Sequence, residues 1–234
     1  GSFAQTTADA FSLSRKAMDN FAIHSLSKAN SAIADGVLES EIEAVEITSR
    51  KGTVTVTTDE QPGQARIDKI PRLRAAFKKD GTITAANASS ISDGASALVL
   101  ASEAAVAKNN LTPAAHIVGV QSFAGEPGDF TLAPISAVQS LLKSIDWQVK
   151  DVDLFEINEA FAMVTMLAIQ ELGLDNSKVN IYGGACAQGH PIGSTGSRII
   201  VTLMTALKNQ GLKRGVAALC IGGGEATAVA IELV

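Results

Sequence analysis

The sequence is poor in several residue types that mark particular classes of protein. Only 4% of its 234 residues are aromatic, and only two are cysteine. Two cysteines cannot build the disulfide framework of a small secreted domain, so the composition favours a reducing compartment, the cytoplasm. The net charge of −5 gives no overall attraction to nucleic acid or to an anionic membrane. We therefore expect neither as a partner.

Long apolar runs are also missing from the sequence. No stretch approaches the roughly 20 residues of a membrane span, and no charged-then-apolar signal segment opens the chain. What the sequence does have is 46% hydrophobic residues over a length that can bury a large core. These features predict a soluble globular protein with one large domain or two modest ones.

The first 92 residues have the pattern of an irregular α+β region. Ser14 can cap a helix over residues 15–35, because apolar residues recur there at helical spacing until Gly36. Two segments that alternate apolar and polar residues then predict a hairpin, over 42–48 and 53–58.

Residues 93–234 have the pattern of a layered α/β domain. Helical and strand-like stretches alternate, which indicates βαβ units and a mostly parallel sheet. The predicted helices are 93–109, 133–145, 159–172 and 192–209. The predicted strands are 116–121, 152–156, 178–182 and 215–221, with an antiparallel return strand at 226–234. We therefore divide the chain near Ser92 into two domains, 1–92 and 93–234.

Three polar segments follow the last three strands predicted to be parallel. They are Glu156–Phe161, Gly183–Gly193 and Cys220–Gly224. Because the carboxyl ends of parallel strands meet at one edge of a sheet, where open α/β sheets bind ligands, we expect these segments to lie together. A thiol at a strand end, an imidazole and glycine N–H groups suit acyl chemistry at a thioester.

Each of these polar residues also has a purely structural interpretation. Asn158 could cap the helix that follows it. His190 could be a hydrogen-bonded loop residue, and Cys220 could fill the core at the end of an apolar strand. Cys186, which lies among Gly and Ala without a charged neighbour, is interpreted as a packing residue.

Four motifs give the sequence a resemblance to the thiolase family. The segments Asn158-Glu159-Ala160-Phe161, Gly189-His190-Pro191-Ile192-Gly193 and Cys220-Ile221-Gly222-Gly223-Gly224 resemble the three C-terminal signatures of that family in order and spacing. Thr84–Gly94 is similar to a further family segment at the junction of the loop domain and the C-terminal domain. The likeness runs along the whole chain and is greatest to the short-chain acetyl-CoA acetyltransferases. It implies the C-terminal half of the thiolase fold, preceded by part of the loop domain.

The resemblance implies a Claisen condensation of two acetyl-CoA molecules to acetoacetyl-CoA, or the reverse thiolysis. Cys220 would be the acid/base at the α-carbon, His190 would stabilise a thioester oxyanion and help activate the acylated nucleophile, and Asn158 would hold an oxyanion-hole water. Gly222 would offer a backbone N–H to the acyl oxygen. The residues implied to contact substrate are Ala88, Ser89, Ala160 and Phe161, with Arg66, Arg72 and Arg74 near the CoA phosphates. A solvated basic surface is the alternative for these three arginines.

The resemblance further implies CoA thioesters as substrates, no other cofactor, no metal and a homo-oligomer, either a dimer or a tetramer. Thiolases carry the acylated cysteine in an N-terminal domain, and neither Cys186 nor Cys220 matches it. We therefore expect a fragment that is inactive without that half. Two alternatives stay open: a non-catalytic CoA- or acyl-binding module derived from thiolases, and one subunit of a split thiolase.

An isolated half of a two-sheet core should leave an apolar helix face uncovered. The candidates for that face are Met163, Leu167 and Ile169, or Ile199, Leu203 and Leu207.

Overall fold

The computed structural model describes all 234 residues. The elements of the first part are α1 (Ser2–Ala10), α2 (Arg15–Ala34), β1 (Val45–Ser49), β2 (Gly52–Val56), α3 (Glu60–Gln64) and α4 (Glu103–Asn109). The predicted cap of α2 is present, because the Ser14 hydroxyl accepts the N–H of Ala17 at 3.1 Å. The predicted hairpin is also confirmed: β1 and β2 pair antiparallel, from Val45 with Val56 to Ser49 with Gly52.

The second part of the chain builds a four-stranded sheet with helices on both faces. Its elements are β3 (Ala115–Ala124), α5 (Ala133–Ser144), β4 (Leu154–Ile157), α6 (Ala162–Leu172), α7 (Ala185–Gln188), α8 (Thr195–Gln210), β5 (Arg214–Ile221) and β6 (Glu225–Leu233). The strand order across the sheet is β3-β6-β5-β4. The predicted layered α/β fold is therefore confirmed.

Alternation along the strands decides which helix covers which face of the sheet. Phe155 and Ile157 of β4 join a core cluster with α5 and α6, whereas Leu154 joins a cluster with α8. A third cluster joins α1 and α2 to α6 around Met18 and Met163. The sheet is thus the middle layer between α5 and α6 on one side and α8 on the other.

The prediction of a mostly parallel sheet needs correction, because the sheet is mixed. Only β4 and β5 pair in parallel, whereas β6 pairs antiparallel with both β3 and β5. The return strand was expected, but it lies inside the sheet and so converts two of the three pairings to antiparallel.

The strand predicted over residues 178–182 is absent. Val179 makes a single bridge to Phe155, and Asn180 then adopts a left-handed conformation with φ 46°. The Asn180 side chain takes the place of a neighbouring strand: it accepts the N–H of Ile157 and donates to the carbonyl of Ile157, each at 2.8 Å. A side-chain amide therefore satisfies the edge of β4 that a fifth strand was expected to cover.

The helix predicted over residues 93–109 forms only from Glu103. Ser102 caps it, since its hydroxyl accepts the N–H of Ala105 at 3.3 Å. The preceding ten residues contain Gly94, which disfavours helix, and they adopt neither helix nor strand. Val99 is 95% exposed in this segment.

The apolar helix faces expected to be uncovered are buried within the chain. Met163, Leu167, Ile199, Leu203 and Leu207 are all at most 2% exposed, and Ile169 is partly buried against the core cluster of α5 and α6. The α1–α2 region covers α6, and the sheet covers α8. Exposed aliphatic side chains lie elsewhere, among them those on the hairpin, on β3, in the segment 91–100 and at Ile192.

Candidate active site at the carboxyl edge of β4 and β5

The parallel pairing of β4 and β5 brings two of the three polar segments to one edge of the sheet. Ile157, the last residue of β4, lies beside Ala218 of β5. Asn158 follows directly, and its N–H donates to the Ala218 carbonyl at 2.9 Å. Cys220 lies two residues further along β5 and pairs with Ala226 of β6. The predicted convergence of these two segments is therefore confirmed.

Asn158 does not cap the helix that follows it. Helix α6 begins at Ala162, with Phe161 in the capping position and no side-chain cap. The Asn158 side chain is 2% exposed, yet neither its amide oxygen nor its amide nitrogen has a hydrogen-bond partner in the chain. Because an unpaired buried polar group costs about 1–3 kcal/mol, this amide calls for a polar partner from outside the chain, such as a water or a ligand.

The Cys220 side chain lies near the end of β5. It is 8% exposed, and burial raises the pKa of its thiol to about 11. The thiol is therefore protonated at neutral pH and is ready to give a proton rather than to take one. Core packing alone does not account for its position, because the three residues that follow it, Ile221, Gly222 and Gly223, are exposed.

The glycines after Cys220 have two separate structural reasons. At Gly224, φ is +92° and a β-carbon would lie 2.5 Å from the Gly125 carbonyl oxygen, so only glycine fits. At Gly222, a β-carbon would meet nothing within 4 Å. The Gly222 N–H makes no hydrogen bond within the chain, so it is a free donor at the mouth of the edge, as an oxyanion contact requires.

Backbone and side-chain contacts hold His190 in position near this edge of the sheet. Its N–H donates to the Ser90 carbonyl at 3.0 Å, and it forms a bridge with Ile91. The ring Nδ1 lies 2.6 Å from the Thr195 hydroxyl, whereas Nε2 has no partner. Burial, and then the positive charge of Arg198, lower the pKa of His190, so the ring is neutral at neutral pH.

The four predicted substrate-contacting residues lie together beside these groups. Ala88 forms a bridge with Phe161, and the N–H and the hydroxyl of Ser89 both donate to the Ala160 carbonyl, at 3.0 and 2.9 Å. Since Ser90 binds His190, the segment 88–91 joins the Asn158 turn to the histidine loop. The Ser89 hydroxyl proton is committed to the chain itself.

The basic stretch divides into residues that line a cavity and residues that do not. Arg66 and Lys69 line a cavity of about 300 Å³ together with Cys186 and mostly apolar neighbours. Arg72 and Arg74 are exposed and lie outside this lining. The three predicted arginines therefore do not form one cluster.

One residue of the cavity wall, which the sequence did not single out, connects it to the histidine loop. Gln61 accepts from the Ser90 hydroxyl at 2.7 Å and donates to the Ser92 hydroxyl at 2.8 Å. A lone glutamine in an irregular segment carries no sequence signal for this role.

A buried carboxyl group, that of Glu159, binds the segments around Asn180 and Cys186 and so supports the site. Glu159, 1% exposed, accepts from the Ser25 hydroxyl at 2.7 Å, from the Asn180 amide at 2.9 Å and from the Cys186 N–H at 3.1 Å. Sequence reasoning missed this function because the partner Ser25 is 134 residues away. Cys186 itself contacts the Glu159 carbonyl through its thiol at 3.7 Å, and burial raises its pKa. These contacts agree with a packing role.

Comparison with known proteins accounts for the fold and the motifs together. The family model described as "Thiolase, C-terminal domain" matches residues 111–233, and that described as "Thiolase, N-terminal domain" matches residues 1–104. Together the two models cover almost the whole chain, including the layered α/β sheet and the polar segments at its edge. The chain belongs to the thiolase family.

Its curated relatives and structural neighbours are acetyltransferases and thiolases. The acetyl-CoA acetyltransferase of Yarrowia lipolytica is 45% identical over 234 residues, which are all of this chain and 58% of that protein. The crystal structure of the Bacillus anthracis acetyl-CoA acetyltransferase superposes with a TM-score of 0.96 at 39% identity, covering 99% of this chain and 59% of that one. The Acat5 thiolase from Ascaris suum, solved in complex with coenzyme A, has a TM-score of 0.91 at 42% identity, again with 99% and 59% covered.

The chain thus spans somewhat less than two thirds of the length of these relatives. None of its helices has the length and the apolar character needed to cross a membrane.

Proposed function

We propose that this chain supplies the Cys220, His190 and Asn158 side of an acetyl-CoA acetyltransferase site. The observation that carries the proposal is the buried Asn158 amide, which has no partner in the chain. It lies at the sheet edge near Cys220, the second-last residue of β5. A water held by this amide, together with the free Gly222 N–H, would give a developing thioester oxyanion its donors.

In this proposal Cys220 exchanges a proton with the α-carbon of the substrate. The raised pKa of its thiol suits the direction in which the carbanion is protonated, which is thiolysis. In the condensation direction the thiol must first lose its proton. The acylated cysteine of the reaction would be a residue other than Cys220.

The proposal is tested by a chimaera in which this chain replaces the matching 59% of the Bacillus anthracis enzyme. We expect the chimaera to cleave acetoacetyl-CoA and the isolated chain not to, because the isolated chain has no counterpart of the acylated cysteine. Cys220→Ser in the chimaera should still form the acetyl-enzyme but lose about 10²–10⁴ in condensation rate. Glu171→Gln, on the exposed face of α6, is the control and should leave the rate almost unchanged.

Three results would contradict the proposal. A folded chimaera that binds CoA without turnover would favour the non-catalytic binding module. If Cys220→Ser lost acetylation as well as condensation, the roles of acylation and proton transfer would not belong to two separate thiols. Turnover by the isolated chain, shown by mass spectrometry to be free of longer forms, would make Cys186 or Cys220 the nucleophile.

The proposal places the CoA phosphates at the cavity that contains Arg66 and Lys69. The CoA-bound Ascaris suum relative supports CoA as the ligand class, and guanidinium and ammonium groups can pair with phosphate. We expect Arg66→Ala to weaken CoA binding and to reduce its salt dependence. Arg74→Ala is the matched control outside the cavity. Equal losses in both variants, measured by titration at two ionic strengths, would assign the phosphates to the whole basic stretch.

The cytoplasmic location, the dimeric or tetrameric state and the division near Ser92 remain part of this proposal. They are supported by the composition and by the likeness to short-chain acetyltransferases. Light scattering of the chimaera and of the isolated chain tests the oligomeric state.

A further inference from the structure

The Thr195 hydroxyl makes two hydrogen bonds in the structure, and together they fix where its proton lies. It is 2.6 Å from His190 Nδ1 and 3.0 Å from the Pro191 carbonyl oxygen. Thr195 is the first residue of α8 and is 1% exposed, so water does not compete for it.

A hydroxyl carries one proton and two lone pairs. The Pro191 carbonyl can only accept, and it also accepts the N–H groups of Ser194 and Thr195, each at 2.8 Å. If Thr195 gave its proton to His190 instead, two oxygen atoms would face each other at 3.0 Å with no proton between them. Both contacts are favourable only when Thr195 donates to Pro191 and the His190 Nδ1–H donates to Thr195.

The second ring nitrogen of His190 is then defined as well. In a neutral imidazole one nitrogen bears the proton and the other a lone pair. Nε2 has no partner in the chain, so its lone pair is free to accept from a group outside the chain. The charged groups near the ring include Arg198, a cation that disfavours protonation of the ring.

We propose that Thr195 is a positioning residue that holds His190 in the Nδ1–H tautomer, so that Nε2 presents a lone pair to the substrate. The histidine of this site is therefore a proton acceptor in its resting state. It cannot donate to a thioester oxygen until it has been protonated.

This assignment gives an order to the two roles of His190, and in that respect it rests on the proposed function. A thiol brought to Nε2 transfers its proton: the S–H bond breaks, an N–H bond forms, and the electron pair stays on sulfur. The products are a thiolate and an imidazolium. The new Nε2–H can then donate to a thioester oxygen, so activation of the thiol precedes stabilisation of the oxyanion.

Long-range ¹H–¹⁵N NMR of the isolated, ¹⁵N-labelled chain reads the tautomer directly, above the pKa of the ring. The chain has three histidines, and His190→Gln assigns the relevant signals. We expect a protonated-type shift for Nδ1 and an unprotonated-type shift for Nε2. A protonated Nε2, or an even mixture of tautomers, would overturn the proposal.

Variants of the hydroxyl separate positioning from a merely structural role. Thr195→Val, which keeps the shape but cannot accept a hydrogen bond, should shift His190 toward the Nε2–H form, and Thr195→Ser should restore Nδ1–H. Thr202→Val removes another buried hydroxyl of α8, one that contacts Glu41 instead, and should leave the tautomer unchanged. If Thr195→Val fails to fold, Thr195→Ala serves in its place. An unchanged tautomer in the folded variant would contradict the role of Thr195.

The chimaera shows whether the proposed function and this inference fail separately. Thr195→Val there should lower kcat at least about tenfold with little change in KM, because a catalytic imidazole in the wrong tautomer loses up to about 10⁴ in rate. Unchanged kcat with an altered tautomer would overturn the order of steps. A chimaera inactive with every residue intact contradicts only the proposed function, since the tautomer is measured without turnover.

Discussion

Two apolar regions of this chain, the strand β4 and the segment Asp93–Ser102, have opposite fates. Phe155 and Ile157 of β4 are at most 2% exposed, whereas Val99 and Leu100 of the segment are 95% and 73% exposed. The strand is covered by helices on both faces. The segment is anchored mainly by the Ser96 hydroxyl, which lies 2.6 Å from the hydroxyls of Ser194, the residue before α8, and of Ser197 in α8. Apolar sequence therefore does not reveal whether a stretch is buried by its own chain. The candidate active site is built on β4, the region that is buried.

The largest effect expected from this contrast is on global stability. Phe155→Ala should lower the free energy of unfolding by about 3–5 kcal/mol, because it opens a cavity in a fully packed layer. Val99→Ala removes a side chain that packs against almost nothing and should change stability by less than about 0.5 kcal/mol. Urea unfolding of both variants measures the difference. Equal losses would mean that the segment is packed in solution.

A smaller loss is expected when the support beneath the site is weakened. Glu159→Gln replaces one carboxyl oxygen with an amide nitrogen, so at least one of the donors Ser25, Asn180 and Cys186 loses its acceptor. We expect a destabilisation of about 1–3 kcal/mol, the cost of a buried unpaired donor. The exposed Glu171→Gln on α6 is the control and should be nearly neutral. A neutral Glu159→Gln in thermal unfolding would show that the loops are not held by this carboxyl group.

The smallest effect, expressed per pH unit, concerns Glu156, a buried carboxyl group in β4. Burial raises the pKa of Glu156 from 4.5 to about 8, with Arg198 and Lys28 opposing the shift and Glu159 and Glu41 adding to it. Between these two pH values the folded state keeps a proton that the unfolded state has lost. Its contribution to stability is thus complete below pH 4.5 and is lost as the pH rises through 8, by at most about 1.4 kcal/mol per pH unit.

Glu156→Gln should remove this slope from the pH dependence of unfolding. The readout is the difference between wild-type and variant stability measured across neutral pH, with Glu171→Gln again as the control. An identical slope in wild type and in Glu156→Gln would mean that Glu156 is ionised in the folded chain.

From the sequence, site residues could be located only where the direction of neighbouring strands determines their positions. Asn158 and Cys220 follow neighbouring parallel strands, so their convergence could be derived from the pattern. Thr195 and Glu159 could not be assigned their contacts in this way. Their roles depend on where single hydrogen atoms lie, and on partners such as Ser25 that are remote in the chain.

The errors in the predicted fold also have local physical causes. A strand was predicted over 178–182 as one of the strand-like stretches that alternate with helices, yet the Asn180 side chain replaces its backbone hydrogen bonds to β4. A helix was predicted from Asp93 because alanine is frequent there, yet the capping hydroxyl of Ser102 fixes the helix start ten residues later. In both places the hydrogen bonds of a short polar side chain determine the local structure, and composition does not reveal which hydrogen bonds such side chains form.

The position of β6 between β3 and β5 has a consequence for the time course of folding. β3 has no sheet neighbour other than β6, and these two strands come from distant parts of the chain. Closing so long a loop costs entropy before any pairing repays it, and topologies of this kind fold slowly. Until β6 inserts, β3 presents an unpaired edge and β5 lacks one neighbour, so this stage of assembly is the one most exposed to mispairing with other chains.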